Sequence, residues 1–263
     1  MLEVGEVLVC RSEGASMYYL EIHAPLIAAA SAPGQFVHLQ VSGTYDPLLR
    51  RPMSLYKIDK EKGDIGILFN VVGIGTGMLS EFRVGDGINL MGPLGRGFDL
   101  DIDADRVYLV AGGIGLAPLL PAALALKEQG KSVAVLLGIK SHEFTGGIYE
   151  FQKADIVVRM TTEDGSFGRE GYVTDTLKSE IEKGAVKYII SCGPNAMLKV
   201  VEELALAHNI PGQVSLESYM GCGVGACLVC ACRKKNTDGD NTEYAKICLD
   251  GPVFKFGEVE IDG

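Results

Sequence analysis

The sequence predicts a multi-domain α and β protein. It divides into an N-terminal antiparallel β-barrel over residues 1–101, an α/β domain on a parallel sheet over 102–212, and a small C-terminal segment over 213–263. Three observations carry this division. Short runs rich in apolar and β-branched residues, cut by turn residues, fill the first part without a helical period. From about residue 103, strand-like runs alternate with helical ones, the pattern of a parallel sheet covered on both faces. Beyond residue 212, five of the chain's seven cysteines gather, four of them in a ligand-like spacing.

The barrel strands are expected in VGEVLVC (4–10), YYLEIHA (18–24), QFVHLQV (35–41), MSLYKI (53–58), IGILFNVV (65–72) and GINLMG (87–92). Pro33-Gly34, Lys62-Gly63-Asp64 and Gly85-Asp86-Gly87 separate them. Only GTGMLSEF (75–82) offers a helical turn. In the second domain VYLVAG (107–112) leads to a helix over 116–130, and SVAVLLGI (132–139) to a short helix near Tyr149–Lys153. IVVRMT (156–161) precedes a helix over 173–184, KYIISC (187–192) a helix over 195–209, and QVSLES (213–218) reads as the last strand.

A net charge of −10 argues against nucleic acid or an anionic membrane as partner. MLEVGEV reads as the start of a strand rather than a targeting segment. Val107 to Leu126 carries no charge until Lys127, but Gly112, Gly113, Gly115, Pro118 and Pro121 make it a buried strand, a turn and a packed helix rather than a membrane span. The cysteines read as metal ligands and buried thiols, which points to a reducing cytoplasm.

Cys222, Cys227 and Cys230 are spaced C-x4-C-x2-C, and Cys248 follows. This is the plant-type spacing for a [2Fe–2S] cluster, in which two irons share four thiolates. Gly221, Gly223 and Gly225 suit a backbone that lies close to the cluster in unusual conformations. Structural zinc or unligated thiols are the alternatives. Zinc would more often show two C-x2-C pairs and leaves the glycines unexplained.

Three loops could meet phosphate. Gly112-Gly113-Ile114-Gly115 lies where a strand ends and a helix begins, the place for a dinucleotide pyrophosphate, although Pro118 takes the last glycine position of the G-x-G-x-x-G pattern. Tight packing is the competing account. Ser191-Cys192-Gly193-Pro194 ends a second strand of the same sheet and could flank the same ligand, or Cys192 could be a buried thiol. Arg50-Arg51-Pro52-Met53-Ser54 could grip a phosphate, or hold two solvated arginines. Gly73-Ile74-Gly75-Thr76-Gly77 alone would be a turn.

Taken in order, PGQFV (33–37), RPMS (51–54), GIGTGMLS (73–80), GPLGRGF (92–98), GGIGLAPL (112–119) and CGP (192–194) resemble the ferredoxin–NADP reductase superfamily. GCGVGACLVC (221–230) and CLDGPVF (248–254) narrow the likeness to the electron-transfer subunits of NAD-dependent dihydroorotate dehydrogenases, over nearly the whole chain. The resemblance implies FAD on the barrel, NAD as a diffusible substrate of the α/β domain, and a [2Fe–2S] cluster on Cys222, Cys227, Cys230 and Cys248. It implies that Arg51 pairs the FAD pyrophosphate and that Ser54 hydrogen-bonds near the reactive flavin nitrogen. Pro52 and Met53 share that motif; Met53 stands where the superfamily often has tyrosine, implying aliphatic packing in place of ring stacking. Leu68, Phe69 and Asn70 would line the flavin or its tail. Gly75 and Thr76 would hold phosphate, with Thr76 starting a short helix. Gly112, Gly113 and Gly115 would cradle the NAD pyrophosphate, and Cys192, Gly193 and Pro194 border the nicotinamide. Cys232 is read as a non-ligand. Glu163-Asp164-Gly165 would disfavour a 2′-phosphate, or be a solvated turn.

No side chain is assigned as a catalytic acid or base. The implied function is to relay electrons from dihydroorotate, oxidised at FMN on a separate catalytic subunit, through the cluster and FAD to NAD+ in pyrimidine biosynthesis. Two copies of each subunit form the implied heterotetramer, with Met220, Leu228 and Val229 near the docking face. The alternative is an NAD(P)H-linked reductase subunit of another complex, of the sulfide dehydrogenase or ferredoxin–NAD(P) reductase type. Cysteine at position 222 favours the dihydroorotate reading.

Overall fold

Six antiparallel strands close into a barrel in the order β1-β2-β5-β4-β3-β6. They are β1 (Leu2–Gly14), β2 (Met17–His23), β3 (Phe36–Gln40), β4 (Arg51–Asp59), β5 (Asp64–Asn70) and β6 (Gly87–Leu94). All six coincide with the runs expected from the sequence. This is a computed structural model that describes residues 1–144, 146–235 and 243–261. Strand alternation fills the barrel with Val7, Leu20, Ile22, Val37, Leu39, Leu55, Ile65, Ile67 and Leu90. On β3 the opposite face is also covered, so Phe36 and His38 are as buried as Val37 and Leu39.

Two helices belong to the barrel. α1 (Pro25–Ala30) was not expected, because six residues are too few to display a helical period. Its apolar Ile27 and Ala28 close the core, and Glu3 accepts hydrogen bonds from the Leu26 and Ile27 amides. α2 (Ile74–Ser80) is the helical turn expected in GTGMLSEF.

The second sheet contains β7 (Arg106–Gly112), β8 (Ser132–Ile139), β9 (Val157–Thr162), β10 (Arg169–Glu170), β11 (Ile189–Cys192) and β12 (Gly212–Ser215), all parallel. α3 (Leu119–Glu128) and α4 (Tyr149–Lys153) pack on one face with Val107, Leu109 and Ala111. α5 (Val173–Glu182) and α6 (Asn195–Ala207) pack on the other with Tyr108 and Val110. α3 is buried nearly all round, which explains the uncharged stretch noted in the sequence. Among the described residues no helix is long and apolar enough to cross a membrane. Barrel residues Met17, Tyr19, Tyr56 and Leu68 belong to the same apolar cluster as α3, so barrel and sheet share a core.

After β12 the chain leaves the sheet, forms the cysteine loop and the hairpin β13 (Ala231–Arg233) and β14 (Tyr244–Lys246), and returns as β15 (Val253–Lys255). β15 pairs antiparallel with β12, Gln213 opposite Lys255 and Ser215 opposite Val253. The seventh strand of the sheet therefore comes from the C-terminal segment. Arg96 at the barrel exit bridges to Pro252 just before it, with the Arg96 amide 2.5 Å from the Gly251 carbonyl. Buried Glu202 on α6 accepts from Lys235 Nζ at 2.5 Å and from the Gly257 amide at 2.7 Å. Gln213 binds the Asp99 amide and carbonyl, tying the barrel exit to the sheet.

Glu180 on α5 is buried yet charged. It accepts from Tyr108 Oη at 2.9 Å, Arg159 at 2.9 Å and Lys183 at 2.8 Å. The Lys183 hydrogen bond, together with Tyr108 and Arg159, outweighs burial and lowers its pKa to about 2. A carboxyl whose folded pKa lies below its unfolded value stabilises above the unfolded pKa, and that contribution fades as pH falls through the folded one. Glu180→Gln is therefore expected to reduce stability by about 1–3 kcal/mol at pH 7. In chemical denaturation, the gap to the parent should shrink between pH 5 and about 2.

Candidate functional site

The three parts of the chain meet round one cavity of about 310 Å³. The barrel contributes Phe36, Pro52, Met53, Ser54, Leu68, Phe69, Asn70, Val72 and Thr76. Ile114 and Ala117 come from the turn after β7, and Ser215, Leu216, Glu217, Ser218, Met220 and Pro252 from the C-terminal segment. The adjacent strands β4 and β5 bring Ser54 and Asn70 to the same wall. Asn70 Oδ1 is buried and has no hydrogen-bond partner among the described residues, so the cavity holds an acceptor available to a ligand. Largely apolar walls interrupted by a few polar side chains suit a planar heterocycle such as a flavin.

Arg51 and Gly75 sit together beside that cavity. A Cβ on Gly75 would lie 2.2 Å from Arg51 Nε, so only glycine lets the guanidinium cross the start of α2. Arg51 also donates to the Leu49 carbonyl. Its neighbour Arg50 is not a solvated residue. Arg50 donates to Asn89 Oδ1 at 2.6 Å and to the Asn89 carbonyl at 3.1 Å, which fixes it to the barrel wall. Thr76 is the third residue of α2 rather than its first. Its hydroxyl accepts from the Val72 and Gly73 amides and donates to the Gly73 carbonyl. That hydroxyl is thus occupied in capping, and a phosphate here would meet the first-turn amides and Arg51 instead.

The two strand-end loops of the sheet press on one another. A Cβ on Gly115 would lie 2.3 Å from the Cys192 carbonyl oxygen, and one on Gly112 would lie 2.5 Å from Pro194 Cδ. A Cβ on Gly193 would lie 2.8 Å from the Gly112 amide nitrogen. Those three glycines serve loop–loop packing. Gly113 differs: its φ is +53° and nothing lies within 4 Å of its Cβ position. It offers open backbone at the carboxyl end of the sheet, where a pyrophosphate would approach.

Cys192 is fully buried at the end of β11. Burial pushes its thiol pKa well up, and the nearby charge of Glu217 adds to this. Glu217 lines the cavity, where desolvation of its carboxyl raises its pKa. Glu217 was not singled out in the sequence. The signal was its place just past the last parallel strand, beside the loop of Cys192. Asp164 lies in the loop after β9 and is exposed; hydrogen bonds from the Ser166 hydroxyl and amide lower its pKa.

The four cysteines converge as two pairs. The Cys222 amide donates to Cys227 Sγ and the Cys227 amide to Cys222 Sγ, each at 3.4 Å. The Cys248 amide donates to Cys230 Sγ at 3.4 Å. Gly225 links the pairs, its amide 3.1 Å from Cys248 Sγ. Val224 and Ala226 add two more amides to Cys222 Sγ, at 3.4 and 3.2 Å. Amides of Val224 and Cys227 pull the Cys222 thiol down to about 6. Burial, then Cys230, pushes Cys248 up to about 12. Among the described residues no three His, Cys, Asp or Glu side chains are placed to hold one metal ion between them. Two thiol pairs under a cage of amides instead fit two irons with two thiolates each. Gly223 and Gly225 have φ of +71° and +79°, as the tight loop requires. Cys232, on β13, is buried in the apolar cluster that also contains Cys230 and Cys248. Cys230 and Cys248 share an apolar cluster with Phe36 and Met220, both of which also line the cavity.

The family description "iron-sulfur cluster binding domain of dihydroorotate dehydrogenase B" matches residues 217–260. The "dihydroorotate dehydrogenase B (NAD(+)), electron transfer subunit" of Desulforamulus reducens is 40% identical over 256 residues, covering 97% of this chain and 96% of that protein. A protein of the same description from a Geobacillus species is 42% identical over 247 residues, covering 93% of each. Among solved structures, a chain of the NADH-dependent reduced ferredoxin–NADP oxidoreductase, a flavin-based bifurcating enzyme, superposes with a TM-score of 0.87 at 29% identity. That match covers 98% of this chain and 90% of the other. The ferredoxin reductase of carbazole 1,9a-dioxygenase shares the fold over 80% of this chain and 66% of its own, with a TM-score of 0.69 at 18% identity. By its sequence identity over almost the full length, the chain belongs to the family of dihydroorotate dehydrogenase B electron transfer subunits.

Proposed function

We propose that this chain binds FAD and a [2Fe–2S] cluster. In this reading it relays to NAD+ the electrons released when dihydroorotate is oxidised at the FMN of a partner catalytic subunit. The observation that carries the proposal is the single cavity walled by the barrel, the first glycine loop and the segment that leads to the cysteines. A subunit that joins a hydride carrier to a one-electron partner needs those three sites side by side. When bound, the flavin exchanges electrons in pairs with a nicotinamide and singly with a cluster.

The chain's own residues have definite tasks. Pro52, Met53, Leu68 and Phe69 hold an apolar ring and exclude water; Ser54 and Asn70 orient its polar edge. Arg51 with the first-turn amides of α2 near Gly75 and Thr76 neutralises the FAD pyrophosphate. Gly113 receives the NAD pyrophosphate on a loop that Gly112 and Gly115 let pack closely, and Cys192, Gly193 and Pro194 border the nicotinamide next to Glu217. Asp164 and Glu163, beyond β9, disfavour a 2′-phosphate and so favour NAD over NADP. Cys222, Cys227, Cys230 and Cys248 hold the cluster. No side chain transfers a proton to substrate.

The docking face is the cluster loop. Cys227 is exposed there, with Tyr219, Val224, Leu228, Val229 and Leu249 exposed as well. Such an apolar rim suits the FMN-containing catalytic subunit, two copies of each forming a heterotetramer. None of the seven cysteines forms a disulfide, which suits the cytoplasm, the compartment of pyrimidine biosynthesis. The likeness to the bifurcating oxidoreductase favours one second reading, a reductase subunit of such a complex.

The deciding experiment is anaerobic purification of the chain with its native partners, assayed for dihydroorotate-dependent NAD+ reduction. Activity with an FMN-containing partner supports the proposal. NADH oxidation by artificial acceptors, with no response to dihydroorotate, transfers the assignment to the second reading. Within the complex, Cys227→Ser should abolish electron flow between subunits while NADH still reduces FAD in stopped flow; unchanged coupled turnover would refute the relay. The two glycine roles also separate. Gly115→Ala should lower stability by about 1–3 kcal/mol in thermal unfolding, because backbone must move. Gly113→Ala, strained by about 1–2 kcal/mol at its left-handed position, should chiefly raise KM for NADH.

A further inference from the structure

One buried polar side chain has no task in the account above. His38, on the outer face of β3, has no exposed surface, and neither ring nitrogen has a hydrogen-bond partner among the described residues. Burial, with the charge of Arg50, lowers its pKa to about 4. An apolar ring would fill the same space without two unpaired nitrogens, each a cost of about 1–3 kcal/mol. Barrel stability therefore does not account for a histidine here.

The surroundings do. A Cβ on Gly223 would lie 2.9 Å from His38 Cε1, 2.9 Å from Nδ1 and 3.2 Å from Nε2. The edge that carries both nitrogens is thus turned towards the cluster loop, at the glycine next to Cys222. Gly223 has φ of +71°, a conformation the loop must be held in. It begins the run whose amides of Val224, Ala226 and Cys227 converge on Cys222 Sγ. On its other side the imidazole meets Phe36 edge-on, with ring centroids 5.8 Å apart, and Phe36 lines the shared cavity.

We propose that His38 is a positioning residue for the cluster, its ring bracing Gly223 from the barrel wall so that three amides stay aimed at the Cys222 sulfur. Amides directed at a ligand sulfur stabilise the extra negative charge of a reduced cluster and raise its potential. Loosening the brace should make the cluster harder to reduce.

This rests on the cluster assignment proposed above, and the experiment separates the two. Iron and sulfide analysis and the visible spectrum of the anaerobically purified chain come first; a parent protein without a [2Fe–2S] cluster would fail the assignment itself. With the cluster present, its reduction potential is measured by titration followed by electron paramagnetic resonance, with the bound flavin as internal reference. His38→Ala should shift the cluster potential to more negative values and alter the resonance of the reduced form, leaving the flavin potential in place. Gly223→Ala meets the same contact from the loop side. The two substitutions should be non-additive in the double variant, because they act through one contact. An unchanged cluster potential in His38→Ala, equal shifts of cluster and flavin, or strict additivity would each overturn the proposal. Should His38→Ala fail to fold, His38→Gln takes its place in the same cycle, with the same expected and overturning results.

Discussion

The pairing of β15 with β12 is the constraint on which the arrangement of sites depends. Between those strands the chain travels from Leu216 to Pro252, and both ends of that excursion are fixed in the sheet. A loop with tethered ends loses far less entropy on ordering than a dangling tail. Further ties hold it in place. Arg96 and Pro252 join it to the barrel exit, and Glu202 clasps it to α6 through Lys235 and Gly257. Without them the thiols would belong to a separate module. With them, the thiols sit behind the wall of the shared cavity.

Within that excursion the thiols differ in their readiness to ionise. Cys222 is surrounded by amides and falls to about 6, whereas Cys248 is buried beside Cys230 and rises to about 12. Metal binding requires all four as thiolates, so the buried side must release protons against its environment. The asymmetry follows from position. The outer pair belongs to a loop at the surface, and the inner pair belongs to the apolar core that also contains Phe36 and Leu216. The burial that makes Cys248 reluctant to ionise also brings it into the apolar cluster behind the cavity wall.

Much of this was legible in the sequence because it is local. The six barrel strands, the alternation of the second domain and the cysteine spacing are properties of short windows. The β15 strand was not, because VFK becomes a strand only by meeting GQVS about forty residues earlier. α1 was missed for its brevity, and Glu217 and His38 because their significance lies in neighbours distant along the chain. The glycine loops were half legible. Their presence at strand ends was plain, but only the packing separates Gly112 and Gly115, which let two loops touch, from Gly113, which faces open space. The same holds for Arg50 and Arg51, adjacent in sequence and opposite in use: one is fastened to Asn89, the other laid across Gly75.

The charge arrangement of the cavity follows from these placements. The chain carries a net charge of −10, yet its dinucleotides are themselves anionic. Repulsion is avoided because the acidic residues lie mainly on the surface, and the acid that does enter the cavity, Glu217, is shifted by burial towards its neutral form. Cys192 beside it is shifted the same way. In the proposed reading the pyrophosphates are met not by lysines but by backbone amides and a single guanidinium, groups whose direction the fold fixes in advance. Such groups position a ligand more narrowly than mobile cations do, and a hydride moves efficiently only between rings held at close range. The scarcity of ionised side chains around the cavity is therefore part of how this subunit works: it orients its cofactors and leaves the chemistry to them.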